Sequence, residues 1–126
     1  MIHLDTSWLI RALVRDSVED GTLRRWLRAG EPIRLSAIVW AEFLCGPVST
    51  HVVEEAAELF GEPLPFDAAD ATVSAELFNA SGRRRGTLAD CMVAATALRA
   101  GAALATANRR DFHRLAVLGL TLASNE

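Results

Sequence analysis

Short apolar runs alternate with stretches of helical periodicity along the whole chain, and that alternation leaves few folds open. Ile2-His3-Leu4-Asp5, Pro32-Ile33-Arg34-Leu35 and Ala103-Leu104-Ala105-Thr106 read as strands, the last of them buried. Apolar residues at helical spacing predict helices over 6–15, 18–29, 37–45 and 50–60. Ser36 is placed to cap the third, and Gly46-Pro47 to stop it. Asp67 caps a further helix running to about residue 81. Thr87 opens a strongly apolar one that reaches Ala100 and ends at Gly101. Residues 63–66 suggest a short edge-like or extended segment, 108–114 a loop or short helix, and 118–122 a last strand. Strands alternating with helices imply an α/β domain with a parallel, helix-covered sheet. In such folds ligands sit outside the carboxyl ends of the strands. Asp5 and residues 106–108 both fall there. With 126 residues, no internal repeat and no linker, the sequence is read as one domain over residues 1–126.

Several chemistries are excluded early. The two cysteines, Cys45 and Cys91, belong to no Cys/His pattern, so a zinc site is not expected; both read as small core residues in a reducing compartment. No signal peptide is visible and no apolar run approaches the ~20 residues of a membrane span, so a soluble cytoplasmic protein without a membrane role is expected. All 13 basic residues are arginine, which removes any mechanism that requires a catalytic lysine. The formal net charge of −3 hides clusters at Arg24, Arg25 and Arg28, at Arg83, Arg84 and Arg85, and at Arg109, Arg110 and Arg114. Such patches can hold a phosphate backbone despite an acidic total, or can simply be solvated faces.

Four carboxylates stand out from their surroundings. Asp5 ends the first strand, where a helix N-cap is its plain role. Glu42 is the one charge on a helix that is apolar all round, so it is paired, metal-bound or turned to water. Asp90 follows Thr87 at capping-box spacing, which offers a structural role beside a ligand one. Asp111 lies among arginines after the third strand, where a surface turn is the plain reading. Taken together, such acids could be gathered by a parallel sheet. Clustered carboxylates repel unless a cation neutralises them, and oxygen-only ligands suit Mg²⁺ or Mn²⁺. A site of that kind orients a phosphodiester, activates water and stabilises the leaving oxygen.

At this point the chain resembles a known family, the PIN-domain ribonucleases, and within it the VapC-type toxins of bacterial toxin–antitoxin pairs. The resemblance rests on Ile2-His3-Leu4-Asp5-Thr6-Ser7, on residues 35–42 ending at Trp40-Ala41-Glu42, on residues 88–97 beginning Leu88-Ala89-Asp90-Cys91, and on residues 106–112 (Thr106-Ala107-Asn108-Arg109-Arg110-Asp111-Phe112), in that order over essentially the whole chain. It implies a three-layer α/β/α fold around a parallel sheet and metal-dependent cleavage of RNA. Asp5, Glu42 and Asp90 match the three invariant acids of the pattern. Asn108 stands where some relatives have an acid, and Asp111 is expected to complete the pocket directly or through water. The resemblance implies that Asp5 and Asp90 hold one Mg²⁺ or Mn²⁺, with Glu42 completing the site or orienting the attacking water. Thr6, Ser7, Thr106 and Asn108 would support the ligands or the phosphate. Arg83, Arg84, Arg85, Arg109 and Arg110 would bind RNA. It also implies a homodimer and a VapB-type antitoxin, for which Trp8, Leu9, Leu13, Trp26 and Leu27 offer a candidate face. Trp40, like Trp8 and Trp26, sits at a helical apolar position and suits core or interface better than base stacking.

Two other classes compete. A catalytically inactive module could keep this fold and bind only protein, and a metal-dependent DNA nuclease would use the same acids, since nothing in the chain reads a 2′-hydroxyl. A phosphate-transfer fold with a nucleophilic aspartate fits poorly, because it needs the missing lysine.

Overall fold

The computed structural model describes residues 1–124. β1 (Ile2–Leu4) is the central strand of a three-stranded parallel sheet, with β2 (Ile33–Arg34) on one side and β3 (Ala103–Ala105) on the other. Ile2 pairs with Ile33 and Ala103, and Leu4 with Ala105. Being central, β1 is buried on both faces, which is why Ile2, His3 and Leu4 are all inaccessible and the segment shows no alternation. His3 is held neutral there, its pKa lowered to about 4 by burial first, then by Arg34 and the N-terminal ammonium.

Two single parallel bridges widen the sheet: Leu64 beside Ser36, and Leu122 beside Leu104. Residues 63–66, read as an edge-like or extended segment, contribute one bridge, and the strand expected over 118–122 is likewise reduced to one. Pro63 and Pro65 carry no N–H, so Leu64 alone makes the ladder, donating to Leu35 and accepting from Ala37 at 2.8 and 2.7 Å. At the far edge Leu118 and Gly119 are spent on the turn that ends the last helix, so the bridge is confined to residues around Leu122.

Among the described residues seven helices flank the sheet: α1 (Thr6–Ala12), α2 (Val18–Arg28), α3 (Ala37–Cys45), α4 (Thr50–Phe60), α5 (Ala68–Ala80), α6 (Leu88–Ala100) and α7 (Arg109–Ala116). The expected α/β/α layering is thus present. Ser17, Ser36 and Ser49 each accept a backbone N–H from the first turn of α2, α3 and α4. Asp67 and Asp70 form a reciprocal capping box on α5, and Arg99 of α6 donates to both at 3.0 and 2.9 Å, which ties α5 to α6. Gly101 ends α6 at φ 66°, a left-handed conformation that a side chain would strain.

α1 stops at Ala12, earlier than its apolar pattern suggested, because Asp16 turns the chain at φ 65° and starts α2. The segment 108–114, read as a loop or short helix, is the helix α7, which starts after Asn108 and runs on to Ala116. The core is built on Leu4, Trp8, Leu9, Phe43, Leu104, Phe112 and Leu115. Trp8 is fully buried and stacks on Trp26 with centroids 5.1 Å apart, joining α1 to α2. Trp8 and Leu9 therefore belong to the interior and offer no surface to a partner. Cys91 is buried as expected, whereas Cys45 is exposed, because only Val39 and Phe43 of α3 turn fully inward. No helix among the described residues is long and apolar enough to cross a membrane.

Candidate active site

The parallel register places Asp5 and Thr106 side by side, each one residue beyond the carboxyl end of its strand. The Asp5 N–H donates to the Ala105 carbonyl at 2.8 Å, which extends the ladder to the rim. Asp5 is buried and occupies the N-cap position of α1, yet its side chain makes no cap bond. Instead Asp5 Oδ2 accepts from the hydroxyls of Thr106 (2.8 Å) and Ser7 (2.9 Å). Those hydroxyls are themselves oriented: Ser7 Oγ accepts from the Ala107 N–H at 3.2 Å, and Thr106 Oγ1 from the Asn108 N–H at 3.0 Å. The N–H groups after β3 thus aim two hydroxyl protons at one carboxylate oxygen. Asp5 Oδ1 makes no hydrogen bond among the described residues and is left available to a ligand.

Asp90 lies in the first turn of α6. The capping box that its spacing with Thr87 suggested does not form. Thr87 donates its hydroxyl back to the Arg84 carbonyl at 2.7 Å and makes no cap bond. The Asp90 carboxyl is half-buried without a hydrogen-bond partner among the described residues, and its pKa is pushed up to about 6. Burial is the largest cause, followed by the charges of Asp5, Asp111 and Glu42, while Arg114 opposes them. One carboxyl therefore feels the other three. They come from α1's N-cap, α3 and α7, elements far apart in sequence.

Glu42 resolves its sequence ambiguity by facing water from α3. It is not free, since Thr6 donates to its Oε1 at 2.9 Å and so joins α3 to the start of α1. Asp111 is exposed in the first turn of α7. Asn108 is the N-cap residue of α7 but makes no side-chain cap bond, so its amide faces outward. Arg83, Arg84 and Arg85 form an exposed loop ahead of α6, with Arg83 at φ 52°. Arg110 is exposed. Arg109 is committed elsewhere, its guanidinium donating to the Ala123 carbonyl at 2.8 Å. In the sequence Arg114 stands out only as part of a basic cluster. Its place three residues after Asp111, on the same helix face, was the available signal that it belongs with the acids.

The donors around Asp90 are all carboxylate oxygens, which suits a hard divalent cation. Among the described residues no three acidic, histidine or cysteine side chains stand close enough to form a closed metal-binding set.

The hydroxyl network gives a direct prediction. Thr106→Val keeps the shape but strands the Asn108 N–H and removes one of two donors to Asp5. It should cost about 1–3 kcal/mol in urea unfolding. Unchanged stability would mean that the Thr106–Asp5 bond does not hold the rim.

The PIN domain family profile matches residues 2–118. No curated protein matches the chain in sequence. Among solved structures, the chain is similar to FitAcB from Neisseria gonorrhoeae, with 23% identity, TM-score 0.73, and 99% of this chain and 98% of that chain covered. It is similar to VapBC2 from Rickettsia felis bound to a promoter DNA fragment, with 22% identity, TM-score 0.77, and 98% of each chain covered. It is also similar to the sarcin–ricin loop cleaving toxin VapC20 of Mycobacterium tuberculosis, with 17% identity, TM-score 0.68, and 98% of each chain covered. The profile takes in all four carboxylates and the sheet that gathers them, and by that match the chain belongs to the PIN domain family.

Proposed function

We propose that this chain is a divalent-metal-dependent endoribonuclease and the toxin of a VapBC-type toxin–antitoxin pair, with the whole chain as one PIN domain. The observation that carries the reading is the placing of Asp5, Glu42 and Asp111, from three separate elements, within electrostatic reach of the half-buried Asp90 carboxyl at the carboxyl end of the sheet. A structural role does not account for that arrangement, because both available capping roles go unused.

Asp5 and Asp90 would hold the cation, with Glu42 and Asp111 beside it. When bound, Mg²⁺ or Mn²⁺ supplies positive charge against a phosphodiester and its leaving oxygen. The chain's own part is to fix Asp5 through Thr106 and Ser7, to hold Glu42 through Thr6, and to present Asn108 at the rim as a neutral hydrogen-bonding group. Arg83, Arg84, Arg85 and Arg110 are exposed and free to meet a phosphate backbone. Arg109 has a weaker claim, being bonded to Ala123.

RNA is favoured over DNA by the fold shared with a toxin that cleaves the sarcin–ricin loop. An antitoxin partner is favoured by the fold shared with toxin–antitoxin complexes. The contact face differs from the one the sequence suggested. With Trp8 and Leu9 inside, the large apolar side chains exposed around α1 and α2 are Ile10 in α1, Val14 just after it, and Val18 and Leu27 in α2. A homodimer acting in the cytoplasm completes the proposal.

The test is cleavage of labelled tRNA, ribosomal fragments and single-stranded DNA by antitoxin-free protein, with Mg²⁺ or Mn²⁺ and with chelator. Metal-dependent cutting of RNA alone is expected. Cutting of DNA at a comparable rate would make the protein a general nuclease. Folded protein that cuts neither and binds no metal would be a binding module.

A further inference from the structure

We propose that Arg114 positions Asp90, receiving its carboxylate on the buried Nε/Nη2 edge of the guanidinium. The proposal rests on the reading of Asp90 as a cation ligand.

Nε and Nη2 of Arg114 are buried and have no hydrogen-bond partner among the described residues. These two atoms form the side-on fork that takes a carboxylate through two parallel bonds. Buried donors of this kind are costly when unpaired, so each one points to a partner. Asp90 is the complementary case. It is a half-buried carboxyl that Thr87 has left uncapped and that no donor reaches among the described residues. The two lie within electrostatic reach. Arg114 lowers the pKa both of Asp90 and of Cys91, the next residue on α6. α7 packs on α6, and the face of α7 that carries Arg114 also carries Asp111.

The alternatives fit the fork less well. A polynucleotide phosphate does not reach atoms without exposed surface. The Cys91 thiol, kept protonated by burial, offers one weak acceptor to two donors. A carboxylate from the adjoining helix turn matches in charge, geometry and place. It would also fix which way Asp90 presents its oxygens to a cation, as partners of metal-binding side chains do.

Arg114→Lys tests this, because it keeps the charge and most of the stem and removes the fork. Unfolding is followed at pH 8 in chelator for wild type, Arg114→Lys, Asp90→Asn and the double variant. The lysine should lower the midpoint by about 4 °C in the wild-type background and by no more than about 1 °C beside Asp90→Asn. Equal shifts in both backgrounds overturn the pairing. Separately, Mg²⁺ is titrated calorimetrically into wild type and Arg114→Lys. Affinity about 10-fold weaker in the variant supports positioning. Unchanged or tighter binding overturns it, since an arginine that merely repels the cation would hinder binding. A wild type that binds no Mg²⁺ sinks the nuclease reading instead, and the unfolding cycle still decides whether the pair exists.

Discussion

Asp90→Asn should abolish cleavage and at the same time make the metal-free protein more stable. The first effect follows from losing the central carboxylate of the cluster. Charge stabilisation worth several kcal/mol would go with the cation that Asp90 is proposed to hold, so the rate should fall by about three orders of magnitude. The second follows from the raised pKa of the group. Unfolded, Asp90 loses its proton near 3.8, whereas folded it keeps the proton up to about 6. The folded state therefore binds the proton more tightly. This carboxyl costs nothing below 3.8, costs more as pH rises between 3.8 and about 6, and imposes its full penalty above that. Asparagine carries no charge to repel and removes the penalty. Discounted for the solvent around a half-buried group, the gain at neutral pH should be about 1–2 kcal/mol. Thermal unfolding in chelator at pH 5 and pH 8 checks the sign. The stability difference between variant and wild type should be larger at pH 8. A difference that does not grow between pH 5 and pH 8 would mean that Asp90 has no cluster of charges to escape.

Phe112→Ala should be the most damaging single change to the fold near the site. Phe112 is fully buried in α7, directly after Asp111 and two residues before Arg114. α7 is short and strongly two-sided, with only Phe112 and Leu115 fully buried. Removing the ring should cost about 3–5 kcal/mol, a large part of the ~5–15 kcal/mol that holds a domain of this kind together. The denaturant midpoint should fall with little change in slope. Activity measured where the variant is still folded should drop as well, because the helix that carries Asp111 loses its anchor. Phe112→Leu keeps most of the volume and should cost about 1 kcal/mol. Alanine and leucine variants of equal stability would show that α7 is not held by this side chain.

Much of this architecture is legible in local chemistry. Ser36, Asp67 and Gly101 mark helix ends by mechanisms that act within a few residues, and the structure uses all three. The end of α1 was harder to see, because Leu13 and Val14 continue an apolar pattern that a turn at Asp16 interrupts. The strand expected over 118–122 failed for a similar reason. Its alternation is real, but Gly119 and the end of α7 take up half of it. Burial was the least legible property. Cys45 sits in an all-apolar helix and is exposed, since an apolar sequence does not say which face has something to pack on.

For the acids, sequence could name Asp5, Glu42, Asp90 and Asp111 as out of place, while capping stayed open for two of them. Where Thr87 sends its hydroxyl and what the Asp5 oxygens accept are tertiary facts. They depend on Arg84 and on the residues after β3, and no spacing rule reports them. Arg114 was hidden for the same reason: its meaning lies in what α7 packs against.

The most direct test of the account is calorimetric titration of Mn²⁺ into protein freed of metal by chelator and dialysis, wild type beside Asp90→Asn. The account predicts saturable binding to wild type, lost in the variant, with the wild-type unfolding temperature rising as the ion is added. Absence of saturable binding to folded wild type, or equal binding by both proteins, would contradict it.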